Sequence, residues 1–106
     1  MIEYADFAKI QLRTARILEA SRVEKADKLL RLKIRVGAEE RQIVAGIALH
    51  YKPEDLPGRQ VVVVFNLKPA LLRGIESQGM LLAASHEGAL KLVTIDGDIP
   101  DGAVVK

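Results

Sequence analysis

Leu30-Arg31-Leu32-Lys33-Ile34-Arg35-Val36 alternates apolar and basic residues, and Gly37 ends the run. A period of two places the apolar side chains on one face and the cations on the other, the pattern of a half-buried strand. Ala38-Glu39-Glu40 is a short polar turn. Ile43, Ala45 and Ile47 then resume the same period, so the two runs read as a β-hairpin. Helix propensity alone would make residues 5–35 one long helix, because Ala, Leu, Arg, Lys and Glu dominate there. The alternation argues against it.

The same reading extends outward. In Ile10 to Ala20, Ile10 and Leu12 keep one parity and Ala15 and Ile17 the other. A bulge or bend between Arg13 and Arg16 would switch faces and let one strand serve two sides of a curved sheet. Val61 to Phe65 is an apolar β-branched run flanked by Pro57-Gly58 and Pro69. Met80 to Ala84 is another apolar run, and Leu90 to Ile95 alternates again between the turn signals Glu87-Gly88 and Asp96-Gly97. Tyr4 to Ala8 suits a helical turn with Phe7 packed inward. His50 to Leu56 suits a short helix or turn, since Pro53 precedes Glu54 and Asp55. The expected class is all-β with short helices. A five-stranded OB barrel with a bent first strand and terminal extensions fits the order of elements. A generic β-barrel or sandwich fits the same pattern.

With 106 residues, 49% hydrophobic and 28% charged, the chain suits a single globular domain over residues 1–106. It has no cysteine, which excludes disulfides and thiolate metal sites. Glu3 and Asp6 interrupt any signal-peptide pattern at the start, and apolar runs such as Val61 to Phe65 are far too short to span a bilayer. A cytoplasmic, soluble protein without membrane contact is expected. Net charge is only +2, but it is unevenly spread. Residues 41–75 hold five cations (Arg41, Lys52, Arg59, Lys68, Arg73) against Glu54 and Asp55. Residues 76–106 hold two cations against five acids, so the positive end lies in the middle of the chain.

Chemistry for catalysis is missing. His50 and His86 have no ligand set at helical spacing, so no metal site is expected. Gly74 through Gly79 lacks the spacing of a nucleophile elbow. There is no phosphate-cradling glycine motif, and Asp96-Gly97-Asp98 is a turn without the calcium-loop pattern. Neither catalysis nor a cofactor is expected.

Binding chemistry is present. Arg31, Lys33 and Arg35 form a basic stripe opposite the core face. It reads either as a solvated face that discourages edge pairing or as a phosphate track. Lys25 and Lys28 lie in the segment Val23 to Lys28, read as the loop after the first strand. Lys68 and Arg73 lie in the loop after the fourth. The aromatics are only Tyr4, Phe7, Tyr51 and Phe65, with Phe7 and Phe65 expected in the core. That is too few for a stacking platform along a single strand. A folded nucleic acid is the better match, recognised through phosphates, 2′-hydroxyls and one or two unstacked bases. Ser77 and Gln78 can donate and accept hydrogen bonds there. Met80 reads either as an adaptable contact to a base or ribose or as a core residue opening the fifth strand.

These residues resemble the OB-fold tRNA-binding domain family. The resemblance rests on Asp6-Phe7-Ala8-Lys9-Ile10, Ala26-Asp27-Lys28-Leu29-Leu30, Ile43-Val44-Ala45-Gly46-Ile47 and Tyr51-Lys52-Pro53-Glu54-Asp55-Leu56. Above all it rests on Asn66-Leu67-Lys68-Pro69 and on Gly74 through Ala84. The family occurs as the C-terminal appendage of methionyl-tRNA synthetases, as free-standing proteins, and in synthetase-associated factors. The resemblance implies binding of tRNA by shape at the outer corner of the L, which raises effective tRNA concentration for a catalytic region elsewhere. It implies sensitive polar positions at Asn66, Lys68, Ser77 and Met80, with phosphate contacts from Lys28, Arg31, Lys33 and Arg73. It also implies a homodimer formed through terminal segments, here Leu90 to Val105 with part of residues 1–10.

Two departures stand out. Ala70-Leu71-Leu72 replaces cations that relatives usually carry after Lys68-Pro69, which leaves an apolar tip for RNA or a protein partner. Ala45 replaces the usual serine of its strand, a packing change. A peptide-binding, chaperone-like role belongs to a distant branch of the same family. A purely structural dimerisation role is the third reading.

Overall fold

The computed structural model describes residues 1–106. Strand β1 (Leu12–Val23) runs antiparallel to β2 (Ala26–Val36), and β2 to β3 (Glu39–Ala45). The other side of β1 pairs with β4 (Gln60–Val64). Two short strands, β5 (Ala70–Leu72) and β6 (Ile75–Ser77), form a separate hairpin. Strand β7 (Met80–Leu81) joins β4, giving the sheet order β3-β2-β1-β4-β7. A second hairpin joins β8 (Ala83–His86) to β9 (Ala89–Leu92), and β10 (Val104–Val105) adds to the start of β1. A single helical turn, α1 (Tyr4–Phe7), precedes the sheet, and a 3-10 turn at Pro53–Asp55 precedes β4.

The alternation in β2 is borne out. Leu30, Leu32, Ile34 and Val36 are buried, and Arg31, Lys33 and Arg35 are exposed. The strand begins earlier than expected, at Ala26. The segment Val23 to Lys28 is therefore not a loop; only Glu24-Lys25 turns, with Lys25 at φ +62, and Lys28 sits on β2. Val61 to Val64 are buried on both faces, which explains an apolar run without alternation. Leu56, fully buried after the 3-10 turn, joins Ala15, Ile17 and the β2 residues in one core cluster.

The face switch in β1 has a different cause from the one expected. Register shifts lie between Ile17 and Glu19 and between Arg22 and Val23, not between Arg13 and Arg16. Thr14 and Ala15 are both buried because residues 99–105 cross the outer face of β1. Thr14 Oγ1 donates to the Pro100 carbonyl at 2.9 Å and accepts from the Ala103 amide at 2.9 Å. Asp101 accepts from Arg35 Nη2 at 2.9 Å and lies 3.3 Å from Arg16 Nε. Gly102 passes so close to the β2–β3 turn that a Cβ there would lie 2.6 Å from the Gly37 nitrogen.

The expected strand Met80 to Ala84 is split. Its first two residues stay with β4, and the chain then leaves to form the β8–β9 hairpin. Phe7 is half-buried in an apolar groove with Ile10 and Val105, outside the core cluster, so its placement in the core is corrected. Phe65 packs against that cluster while remaining partly accessible. No helix is long and apolar enough to cross a membrane.

Candidate nucleic-acid interface

The sheet does not close into a continuous hydrogen-bonded barrel. Strand β3 has no ladder with β6 or β7; side-chain hydrogen bonds and one backbone bond join them instead. Ser77 Oγ accepts from the Val44 amide at 2.9 Å, and Gln78 Oε1 accepts from the Gln42 amide at 2.9 Å. The Gln78 amide donates to the Gln42 carbonyl at 2.8 Å, and Gln42 Nε2 donates to the Glu76 carbonyl at 2.9 Å. Two side-chain oxygens thus do the work of missing strand carbonyls, which keeps the buried Val44 amide and the half-buried Gln42 amide satisfied. Gly79 permits this approach. Its φ is +148, and a Cβ would lie 3.1 Å from the Val64 carbonyl oxygen.

This geometry changes the role of Ser77. The residue is buried, and its hydroxyl also donates to the Gly79 carbonyl at 3.0 Å. It is a positioning residue, not a surface donor. Asn66 is similarly engaged, although exposed. Its Oδ1 accepts from the Gln11 amide at 2.8 Å and its Nδ2 donates to the Lys9 carbonyl at 2.7 Å, tying the approach to β1 to the exit of β4. Met80 is 48% exposed, so it is not a core residue.

Two open grooves flank this junction. One, of about 500 Å³, is lined by residues that include Arg31, Lys33, Glu40, Arg41 and Gln78. The other, of about 420 Å³, is lined by residues that include Phe65, Asn66, Lys68, Arg41 and Gln78. The structure therefore brings together Arg31, Lys33, Asn66, Lys68 and Gln78. Lys28, Arg73 and Met80 are exposed but line neither groove. Arg73 and Gly74, at φ +53 and +79, form the two-residue turn of the β5–β6 hairpin, so the expected basic loop is a hairpin tip. Leu71 on that hairpin is 72% exposed.

The basic stripe is partly neutralised. Lys33 Nζ lies 3.3 Å from Glu40 and 3.5 Å from Glu19, its cross-strand partner. Glu40, through its hydrogen bond and charge, and then Glu19 hold the Lys33 ammonium above the usual lysine range. Arg35 is taken by Asp101. Lys28, Arg31, Lys68 and Arg73 have no ion-pair partner in the chain and remain available to an anion. Arg41 was not singled out by sequence, yet it is central: its guanidinium stacks on Phe65 at 3.7 Å and it lines both grooves. The histidines, read as isolated, line one shallow pocket with Glu87, but no group of three metal-capable side chains forms.

Residues 12–104 match the family model described as "Putative tRNA binding domain". The chain belongs to this tRNA-binding domain family. Methionine–tRNA ligase of Thermotoga maritima is 61% identical over 100 residues, which is 94% of this chain and 16% of that protein. The ligase of Caldanaerobacter subterraneus subsp. tengcongensis is 54% identical over 104 residues, 98% of this chain and 16% of that protein. The tRNA-binding domain thus spans about one-sixth of the curated relatives it matches. Among solved structures, a MetRS-related protein from Pyrococcus horikoshii has a TM-score of 0.94 at 37% identity, covering 100% of this chain and 98% of that one. The chaperone CsaA from Bacillus anthracis has a TM-score of 0.92 at 29% identity, covering 100% and 99%.

Proposed function

We propose that this domain binds tRNA by shape and backbone charge and so assists aminoacylation, as the non-catalytic part of a methionyl-tRNA synthetase or as a free-standing relative. The observation that carries this reading is the family match over residues 12–104. Lys28, Arg31, Lys68 and Arg73 are the phosphate contacts, and Met80 packs on a base or ribose. Asn66 and Ser77 hold the loops that present them. Gln78 and Arg41 line the grooves between them. Lys33 tunes the groove, because its charge is already shared with Glu19 and Glu40. Residues 1–106 act as one cytoplasmic module in this reading. The test is competition: unlabelled tRNA should displace labelled tRNA well below the concentration at which random single-stranded or duplex RNA does. Equal displacement by all three would refute shape recognition.

The module is proposed to work as a homodimer. Met1, Ile2, Tyr4, Ile10 and Val104 are exposed large apolar residues at the two chain ends, a surface that pairing would cover. Sedimentation at the monomer mass of 11.6 kDa would count against it. The likeness to chaperone CsaA favours one second reading, peptide binding. Aggregation suppression that persists with tRNA saturating the domain would support that alternative.

A further inference from the structure

Arg41 is built differently from the other cations of this surface. Its Nη1 donates to the Phe65 carbonyl at 2.6 Å and to the Gln78 carbonyl at 3.3 Å, and its Nε bonds to Glu39. Each of the two guanidinium edges that could grip a phosphate with paired bonds therefore has one prong already taken. Phe65 covers one guanidinium face. The exposed 21% of the side chain lines both grooves. Glu39 and Glu40 lie beside it in those grooves and disfavour a phosphate there, whereas a neutral base is not repelled. Phe65 is the only aromatic side chain lining either groove, and it lies under Arg41. The flat surface presented to a ligand is thus the guanidinium plane, on which RNA bases stack readily.

Gln78 completes the arrangement. Its Oε1 is committed to the Gln42 amide, which fixes the side-chain orientation, and its Nε2 has no partner in the chain. The amide thus presents its Nε2 donors to both grooves.

We propose that Arg41 is a stacking platform for one unpaired nucleobase and that Gln78 Nε2 donates to an acceptor on that base's edge. This rests on the tRNA-binding reading and deepens it. Cations around the rim hold the backbone, and the Arg41–Gln78 saddle takes a base that the RNA fold has left unstacked. The Nε2 donor meets a carbonyl or ring-nitrogen acceptor, which every nucleobase carries on an edge, so the saddle takes an unstacked base without strong preference for its identity.

The experiment follows the Arg41 side-chain N–H resonance in the uniformly 15N-labelled chain during titration with tRNA, and separately with inorganic polyphosphate. Stacking of a base should move the Arg41 Nε–H proton upfield with tRNA and leave it in place with polyphosphate, which has charge and no bases. Equal movement with both would overturn the proposal. If tRNA shifts backbone amides near Lys68 and Arg31 but not Arg41, the platform is refuted while tRNA binding stands. If tRNA shifts nothing, both fail. As a second readout, Arg41→Lys keeps the charge but loses the plane. It should weaken tRNA binding about 5- to 150-fold, the range for one stacked base, with an unchanged salt slope. An affinity within twofold of the parent would refute the platform. Protection of the Val44 amide from exchange checks that the junction is intact.

Discussion

Replacing Ser77 with alanine separates a structural hydroxyl from an RNA-contacting one. The substitution removes the acceptor of the Val44 amide at 2.9 Å and the donor to the Gly79 carbonyl at 3.0 Å. Val44 and Ser77 are both buried, so water does not readily replace the lost partner. A buried donor left without an acceptor costs about 1–3 kcal/mol. In a domain of this size that corresponds to a fall in Tm on the order of 5–15 °C. Urea unfolding should show a lower midpoint with an unchanged m-value, and hydrogen exchange should show the Val44 amide losing protection. Binding of tRNA should weaken only as far as the β3–β6 junction loosens. A Ser77→Ala variant within about 0.5 kcal/mol of the parent in stability, Val44 still protected, yet clearly weaker for tRNA, would refute the reasoning and return Ser77 to the RNA surface.

Other expectations follow from the same contacts. Gly102→Ala forces a Cβ against the Gly37 backbone at a residue with φ +90. It should lower Tm and expose residues 99–106 to limited proteolysis, whereas Gly88→Ala, at φ +85 with nothing within 4 Å, should cost only the backbone strain. Asn66→Ala removes two exposed hydrogen bonds and should cost about 1 kcal/mol by denaturation, with faster amide exchange at Gln11. Arg31→Ala should flatten the salt dependence of tRNA affinity by about one contact. Lys33→Ala should change it less, because Glu19 and Glu40 already balance that charge.

The core hairpin was legible because its cause is local: in β2, alternate residues must face opposite ways. The apolar run in β4 and the 3-10 turn at Pro53 were legible for the same reason. What was hidden depends on partners far apart in sequence. Nothing near Thr14 announces that residues 99–105 will cover it. Lys33 looks like a free cation until register sets it against Glu19. Ser77 and Gln78 read as hydrogen-bonding groups for a nucleic acid, and their partners within the chain lie across the junction at Val44 and Gln42. Arg73-Gly74 between two short apolar runs is a local turn signal, and it marks the β5–β6 hairpin. Arg41 carried no local signal; only the fold lays it over Phe65.

The most direct test of the central claim is the slope of log affinity for tRNA against log salt concentration. Four unpaired cations, at about 0.7–0.9 released counterions each, predict a slope near −3 and a loss of about 50- to 150-fold between roughly 50 and 200 mM salt. That loss should be accompanied at every salt concentration by preference for tRNA over a random single strand. A slope near zero, or equal affinity for the two RNAs, would contradict the account.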